Sequence, residues 1–157
     1  MTSSRARVEA ALAQHDTPVE IVEFPASTRT AVEAAAVIGC EVSQIVKSLV
    51  FVTRQTDRAV LVLASGGNQV DEKKLRTLLD EKVSKASAEF VRERTGFAIG
   101  GVAPVGHQQI DVVFADEDLL VLGDLWAAAG SPNAVFRLSA TELESITQAT
   151  IADVKRA

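Results

Sequence analysis

This 157-residue sequence has little of several residue types, and each shortage excludes a class of protein. It contains one cysteine, Cys40, so neither an internal disulfide nor a metal site built from several cysteines can form. Its two histidines, His15 and His107, lie far apart in the chain, which argues against a clustered zinc site. We therefore expect no metal ion and no cofactor.

Aromatic residues and positive charge are also scarce. Tyrosine is absent and aromatic residues make up 4% of the chain, so an aromatic platform for stacking several bases is not available. The net charge of −5 argues against broad coating of nucleic acid, although it permits recognition of a short, local piece. No apolar run is long enough to span a bilayer, and the first residues favour a polar-faced helix over a signal peptide. We expect a cytoplasmic protein with no membrane partner.

What the sequence does contain is typical of a soluble globular protein, with 47% hydrophobic and 24% charged residues. A chain of this length predicts one domain spanning residues 1–157. Its oligomeric state cannot be derived from the sequence.

Short helices alternate with short apolar strands along the chain. Capping residues predict helices at 4–14, 31–38, 71–81 and 87–94, with a last one beginning near Ser139, and residues 15–18 should end the first helix. Apolar runs predict strands at 19–24, 45–53, 59–64, 110–115 and 134–138, and a closing strand at 151–154. This order favours an α+β fold, with a curled, partly barrel-like mixed β-sheet flanked by short helices.

The run from Ile45 to Thr53 is apolar on both faces, which marks a strand buried on both sides. Lys47 lies near its start. A lysine there is costly to bury as a cation unless it is paired or borders a cleft, where an anion would be its natural partner. The alternative is that Lys47 lies at the exposed strand end and extends its ammonium group to water.

Residues 96–107, reading GFAIGGVAPVGH, hold four of the nine glycines and one of the four prolines. Glycine lets bare backbone approach a ligand closely, and Gly100 and Gly101 could present amide groups to an oxygen atom. His107 could act as an acid, a base or a hydrogen-bond donor near neutral pH. The alternatives are a tight connection for the loop and a structural role for His107.

A second turn, Gly130-Ser131-Pro132-Asn133, has the composition of an ordinary turn between strands. Its functional interpretation is that Ser131 and Asn133 present short hydrogen-bonding groups beside the first loop.

Taken together and in order, these segments resemble the YbaK/ProX family of aminoacyl-tRNA deacylases, which is related to the editing domain inserted in bacterial prolyl-tRNA synthetases. The resemblance rests on QIVKSLVF around Lys47, the GxxxP arrangement from Gly100 to Pro104, AGSPNAVFRL from Ala129, and the upstream Thr28 to Cys40. It covers nearly the whole chain.

The resemblance implies a freestanding editing hydrolase that cleaves the ester between a wrong amino acid and the 3′-terminal adenosine of tRNA. Lys47 would contact the terminal nucleotide, and the loop from Gly100 to Pro104 would surround the aminoacyl group with backbone atoms. Backbone groups and substrate hydroxyls would position a water molecule, in place of a protein nucleophile. This suits an ester that is already activated.

The predicted site therefore has two groups of residues. We expect Lys47, Gly100 and Gly101 to carry catalysis. We expect the substrate to be bound by Val102, Ala103, Pro104, Gly106, His107, Gly130, Ser131 and Asn133.

The expected partners are the acceptor end of a mischarged tRNA and, as a further option, an aminoacyl-tRNA synthetase. An alternative function is a non-catalytic module that binds an aminoacyl-tRNA end or a synthetase. A third interpretation treats Lys47 and both glycine-rich loops as scaffold. The sequence does not identify the amino acid or the tRNA.

Overall fold

The computed structural model describes residues 3–15 and 19–157. Residues 15–18 were expected to end the first helix; His15 is its C-cap, and residues 16–18 lie outside the described part. Within the described part, the α-helices are α1 (Ser4–Gln14), α2 (Ala31–Ile38), α3 (Glu72–Leu79), α4 (Ala88–Thr95) and α5 (Ala140–Thr147). The strands are β1 (Ile21–Glu23), β2 (Ile45–Thr53), β3 (Ala59–Ser65), β4 (Val83–Lys85), β5 (Val112–Asp116), β6 (Asp124–Ala128), β7 (Ala134–Ser139) and β8 (Thr150–Ala152). Two short 3-10 helices cover Val42–Gln44 and Glu117–Val121.

All the named strands belong to one mixed sheet with the order β1-β7-β6-β2-β3-β5-β8, and β4 pairs with β2 off this path. β2 and β3 form the predicted antiparallel hairpin, whereas β2 with β6, β3 with β5 and β5 with β8 are parallel. The predicted α+β class with a mixed sheet and short flanking helices is confirmed. The sheet is not closed into a barrel.

Helix ends follow the capping residues in the sequence. Thr30 and Glu33 form the predicted capping box of α2, and Gly39 ends that helix with φ of 85°. Ser139 and Glu142 form the capping box of α5, and Ser87 caps α4. These local signals were sufficient because each cap satisfies helix-end amide groups within three residues.

Four elements were not predicted from the sequence. They are the strands β4 and β6 and the 3-10 helices Val42–Gln44 and Glu117–Val121. β4 has three residues, and β6 has the sequence DLWAA, so neither has a strong alternating pattern. Both become strands through pairing: β4 pairs with β2, and β6 pairs with β7 along its whole length and with the start of β2.

Hydrophobic residues pack on both faces of the sheet. The larger cluster includes Val46, Val50, Leu61, Leu63 and residues of α1, α5 and the loop after α4. The opposite face carries a cluster around Phe51, Val60 and Leu75, and α2 packs there against Ile45. β3 is buried along its whole length, as expected for a strand at the centre of the sheet.

The sheet has a gap beside β2 that positions the site. On one side β2 pairs with β3 from Val46 to Val52. On its other side β6 pairs only with Ile45 and Val46, and β4 pairs only with Phe51 to Thr53. Residues 47–50 therefore have no strand partner on that side within the described chain.

Candidate functional site

A cavity of about 610 Å³ lies at this gap. Residues 45–51 of β2 line it, together with the start of α2, Ala86 and Val91 near α4, parts of β6 and β7, and the glycine-rich loop. Because residues of both sheet faces contribute, the cavity extends through the gap from one face to the other. Such concave, largely apolar spaces with a few polar groups are typical of ligand sites.

Lys47 is half-buried in the wall of this cavity. Its ammonium group donates a hydrogen bond to the backbone carbonyl of Asn68. Burial lowers the pKa of Lys47 from its ordinary value, whereas the negative charge of Asp116 acts in the opposite direction. A partly desolvated cation with one neutral acceptor has capacity for an anionic ligand.

Asn68 is held in place by buried polar contacts. Its side-chain amide donates to Asp116 Oδ2 at 2.7 Å and to Asp118 Oδ2 at 2.9 Å. Asp116 is fully buried and also accepts from the backbone amide of Ser65 at 3.2 Å. Lys155 donates to Asp118 Oδ2 at 2.7 Å, which lowers the pKa of that carboxyl. Asp116 and Asp118 thus hold the side chain of Asn68, and so they fix the carbonyl that accepts from Lys47.

The charges lining the cavity are of one sign. Besides Lys47 they belong to Arg29, Lys85 and Arg156, and no aspartate or glutamate of the described chain is among the lining residues. This contrasts with the net charge of −5 for the protein. Positive side chains are therefore gathered at the cavity, an arrangement that favours an anion such as a phosphate.

Gly100 and Val102 line the cavity from the glycine-rich loop, so the structure brings them to the same space as Lys47. Gly100 has φ of 92°, and a Cβ atom built there would lie 2.9 Å from Nε of Arg29. Glycine is required here because it permits this backbone angle and leaves room for the arginine side chain. The neighbouring Ile99 is 52% exposed and lines the same cavity.

Gly101, also predicted to be catalytic, is not among the lining residues. Its amide donates to the carbonyl of Ala98 at 2.9 Å and so closes a turn. A Cβ atom on Gly101 would lie 3.1 Å from the carbonyl carbon of Ser131, so the two glycine-rich loops are in contact.

The second loop, which is the turn Gly130–Asn133, lies behind the cavity wall and does not line the cavity itself. Its Pro132 carbonyl accepts from the backbone amide of Thr28 at 2.7 Å and from the Thr28 hydroxyl at 3.0 Å. Ser131 donates to Asn133 Oδ1, and Asn133 Nδ2 donates to the carbonyl of Phe24 at 3.0 Å. Gly130 packs against the backbone of Ser4.

The remaining predicted residues also lie outside the lining. Ala103 and Pro104 are buried, and Gly106 packs against the backbone of α1. His107 Nε2 donates to the carbonyl of Ala103 at 2.6 Å, and its ring meets the ring of Phe97 edge to face. Burial lowers the pKa of His107, which favours the neutral ring, and the hydrogen bond to Ala103 opposes that shift.

Several residues of the site were missed from the sequence. Arg29, Lys85 and Arg156 lie on three separate segments and converge only in the folded chain. Asn68 and Asp116 were not predicted either. The Asn68 carbonyl is the partner of Lys47, and Asp116 holds the side chain of Asn68. The available signal for Asp116 was its position at the end of a strongly apolar strand, where a buried carboxylate requires partners.

Residues 3–15 and 19–157 contain neither a membrane-spanning helix nor a cluster of metal ligands. No helix there has both the length and the apolar character needed to cross a bilayer. No group of three or more histidine, cysteine, aspartate or glutamate side chains is placed there to hold a metal ion.

The fold and the cavity define an α+β protein with a cation-lined cavity at a gap in its sheet. Comparison with known proteins is more specific, because residues 25–146 match the family model described as "Aminoacyl-tRNA editing domain". The chain belongs to this family.

Relatives and solved structures agree with this assignment. The chain is 34% identical to "Uncharacterized protein YwhH" of Bacillus subtilis (strain 168) over 128 residues, which is 82% of this chain and 81% of that protein. It is 35% identical to a proline–tRNA ligase of Lactobacillus acidophilus over 96 residues, which is 60% of this chain but only 17% of the ligase. It is similar to a crystal structure described as that of "a putative trans-editing enzyme for prolyl tRNA synthetase", with a TM-score of 0.91, 47% identity and coverage of 100% and 99% of the two chains.

Proposed function

We propose that this protein hydrolyses the ester between a wrongly attached amino acid and the 3′-terminal adenosine of a tRNA, acting as a freestanding editing enzyme. The observation that carries the proposal is the cavity, in which four cationic side chains and no carboxylate surround an apolar interior. The phosphates of a tRNA end would meet the cations, and the aminoacyl group would enter the apolar part. Membership of the editing-domain family and similarity to a described trans-editing enzyme support the same substrate class.

The reaction requires an attacking water and stabilisation of the developing oxyanion. Lys47 is suited to hold the terminal nucleotide, because the Asn68 carbonyl fixes its ammonium group at the cavity wall. Gly100 brings bare backbone to the cavity, where backbone and substrate hydroxyl groups would position the water. Hydrolysis of an activated ester by such positioning needs no protein nucleophile. The shape of the cavity would also select which amino acids are admitted.

Deacylation of a panel of mischarged tRNAs tests this proposal. The panel contains Ala, Ser, Thr and Cys on tRNA-Pro, and Ser or Gly on tRNA-Ala. We expect hydrolysis of at least one member well above the uncatalysed rate. If no member is hydrolysed faster than background, the enzymatic proposal fails and a binding module for the same end becomes the better description.

Lys47→Ala provides a second check on the same substrate. We expect a loss of about 100-fold or more in kcat/KM, by analogy with removal of a fixed charge-stabilising group. The thermal unfolding midpoint should stay nearly unchanged, because the lysine is costly to bury and has only one hydrogen-bond partner in the fold. Lys73→Ala, an exposed residue of α3 outside the cavity, is the matched control. Collapse of the fold in Lys47→Ala would instead indicate a structural role.

A further inference from the structure

Trp126, the single tryptophan of the chain, is one of the residues that line the cavity. Within the described chain, the lining contains one other aromatic residue, Phe51. Phe51 is only 2% exposed, which leaves almost no ring surface for a ligand, whereas Trp126 is half-buried. Trp126 is therefore the aromatic residue of the cavity wall whose ring a ligand can contact.

The fold leaves part of the Trp126 indole group unused. The ring packs against the small cluster formed by α2 and Ile45. Among the described residues, however, its Nε1–H group donates no hydrogen bond and its ring pairs with no other ring. A large, rigid aromatic group with these interactions still available can contribute strongly to the binding of a ligand.

The register of the sheet places Trp126 on the same face as Lys47. In the parallel pair of β6 and β2, Trp126 is the partner of Ile45, so the two side chains point to one face. Lys47 follows Ile45 by two residues and shares that face. From the spacing between strands and the rise per residue, the Cβ atoms of Trp126 and Lys47 lie roughly 8 Å apart.

This spacing suits a single nucleotide. The phosphate and the base of a 5′-nucleotide are separated by one ribose, which spans a similar length. A nucleotide whose phosphate lies at Lys47 can therefore place its base against the indole ring. Every base has a π face, and stacking on one aromatic ring is a common source of affinity for single-stranded nucleic acid.

We propose that Trp126 stacks on the adenine of the 3′-terminal nucleotide and thereby positions the end of the tRNA in the cavity. This inference rests on the proposed function. It predicts that the base adds to the affinity of the site for a nucleotide, and that this addition depends on the aromatic ring of Trp126.

The test measures binding, so that it does not depend on turnover. The probes are adenosine 5′-monophosphate (AMP) and ribose 5-phosphate, which keeps the sugar and the phosphate but lacks the base. Calorimetry gives the Kd of both probes for the wild-type protein, Trp126→Leu, Trp126→Phe and Phe114→Leu. Phe114→Leu is the matched control, because it removes a buried ring of β5 that does not line the cavity.

We expect the wild-type protein to bind AMP about tenfold more tightly than ribose 5-phosphate. Trp126→Leu should lose most of this preference through weaker binding of AMP alone, and Trp126→Phe should keep part of it, because phenylalanine still offers a π face. Phe114→Leu should lower the thermal unfolding midpoint through lost packing and leave the preference unchanged.

Fluorescence provides a second readout that a purely structural tryptophan would not move. Because the chain has one tryptophan and no tyrosine, the emission of the wild-type protein reports on Trp126. AMP should quench this emission to saturation with the Kd found by calorimetry. Ribose 5-phosphate should leave it nearly unchanged.

Four results would overturn the inference: no binding of AMP by the wild-type protein, equal Kd values for the two probes, an unchanged preference in Trp126→Leu, or an equal loss of preference in Phe114→Leu. Failure of the proposed function would be recognised separately, as absence of hydrolysis across the mischarged-tRNA panel by a protein that still prefers AMP.

Discussion

His107 illustrates how a single residue can match a catalytic pattern and occupy a packed position. Its Nε2–H group donates a hydrogen bond to the Ala103 carbonyl, and its ring contacts Phe97. Since a carbonyl only accepts, the ring must carry its proton on Nε2 in this arrangement. The structure thus places His107 beneath the glycine-rich loop, whose backbone at Ala103 it anchors. A role in substrate binding remains a prediction that these contacts do not address.

The lowered pKa of His107 predicts a pH dependence of stability. Because burial favours the neutral ring in the folded protein, the unfolded chain takes up a proton first as the pH falls below about 6.5. The free energy of unfolding should therefore decrease below this pH. His107→Gln keeps a donor for Ala103, loses about 1 kcal/mol from the ring contact, and should show a weaker dependence. Urea unfolding between pH 5 and 8 measures both proteins, and equal slopes would contradict the assignment.

At the scale of elements, the sequence predicted those helices and strands whose formation depends on residues close to them in the chain. The helices α2 and α4 begin and end close to their predicted limits, and α5 begins where it was predicted to begin. Their caps are formed by residues within three or four positions. β2 and β3 were predicted by apolar runs that a buried strand requires. The gap beside β2 could not be predicted, because it depends on where β4 and β6, both unassigned in the sequence, stop pairing.

Prediction of the site was limited in the same way, because contacts between distant segments could not be derived from the sequence. Lys47 and the loop at Gly100 were found from local composition, and they do line one cavity. The Gly130–Asn133 turn has the composition of an ordinary turn, and its hydrogen bonds go to the segment before α2. Composition reveals that a turn has polar groups but not which groups satisfy them, since partners more than 100 residues away are decided by the fold.

The docking of α1 onto the second loop predicts a strong requirement for glycine at position 130. Gly130 has φ of 96°, and an added Cβ atom would lie 2.8 Å from the carbonyl oxygen of Ser4. Gly130→Ala should therefore cost about 1–3 kcal/mol, because both the backbone angle and the contact are unfavourable. Gly67→Ala is the control, as an added Cβ atom there meets nothing within 4 Å.

Urea unfolding of the two variants provides the measurement. Gly67→Ala should stay within about 0.5 kcal/mol of the wild-type protein. Similar effects at both positions would show that the contact between α1 and the second loop does not limit stability.

At the scale of the whole molecule, an acidic protein concentrates cations at one cavity. The net charge of −5 disfavours contact with long stretches of nucleic acid, whereas Arg29, Lys47, Lys85 and Arg156 favour a few phosphates. This distribution suits an enzyme that grips only the end of a tRNA. It also means that the number of phosphates bound can be counted from the effect of salt.

The salt dependence of substrate binding should therefore be shallow, and each cavity cation should contribute to it separately. A protein that neutralises Z phosphates shows a plot of log Kd against log salt with a slope of roughly 0.7Z to 0.9Z. With four lining cations as the upper limit, the slope should stay below about 4, and Lys85→Gln should lower it by about 1. Lys73→Gln, on α3 outside the cavity, should leave the slope unchanged although it removes the same charge. Titration of uncharged tRNA at several salt concentrations measures all three proteins, and an equal decrease in both variants would mean that net charge, and not the cavity, governs the interaction.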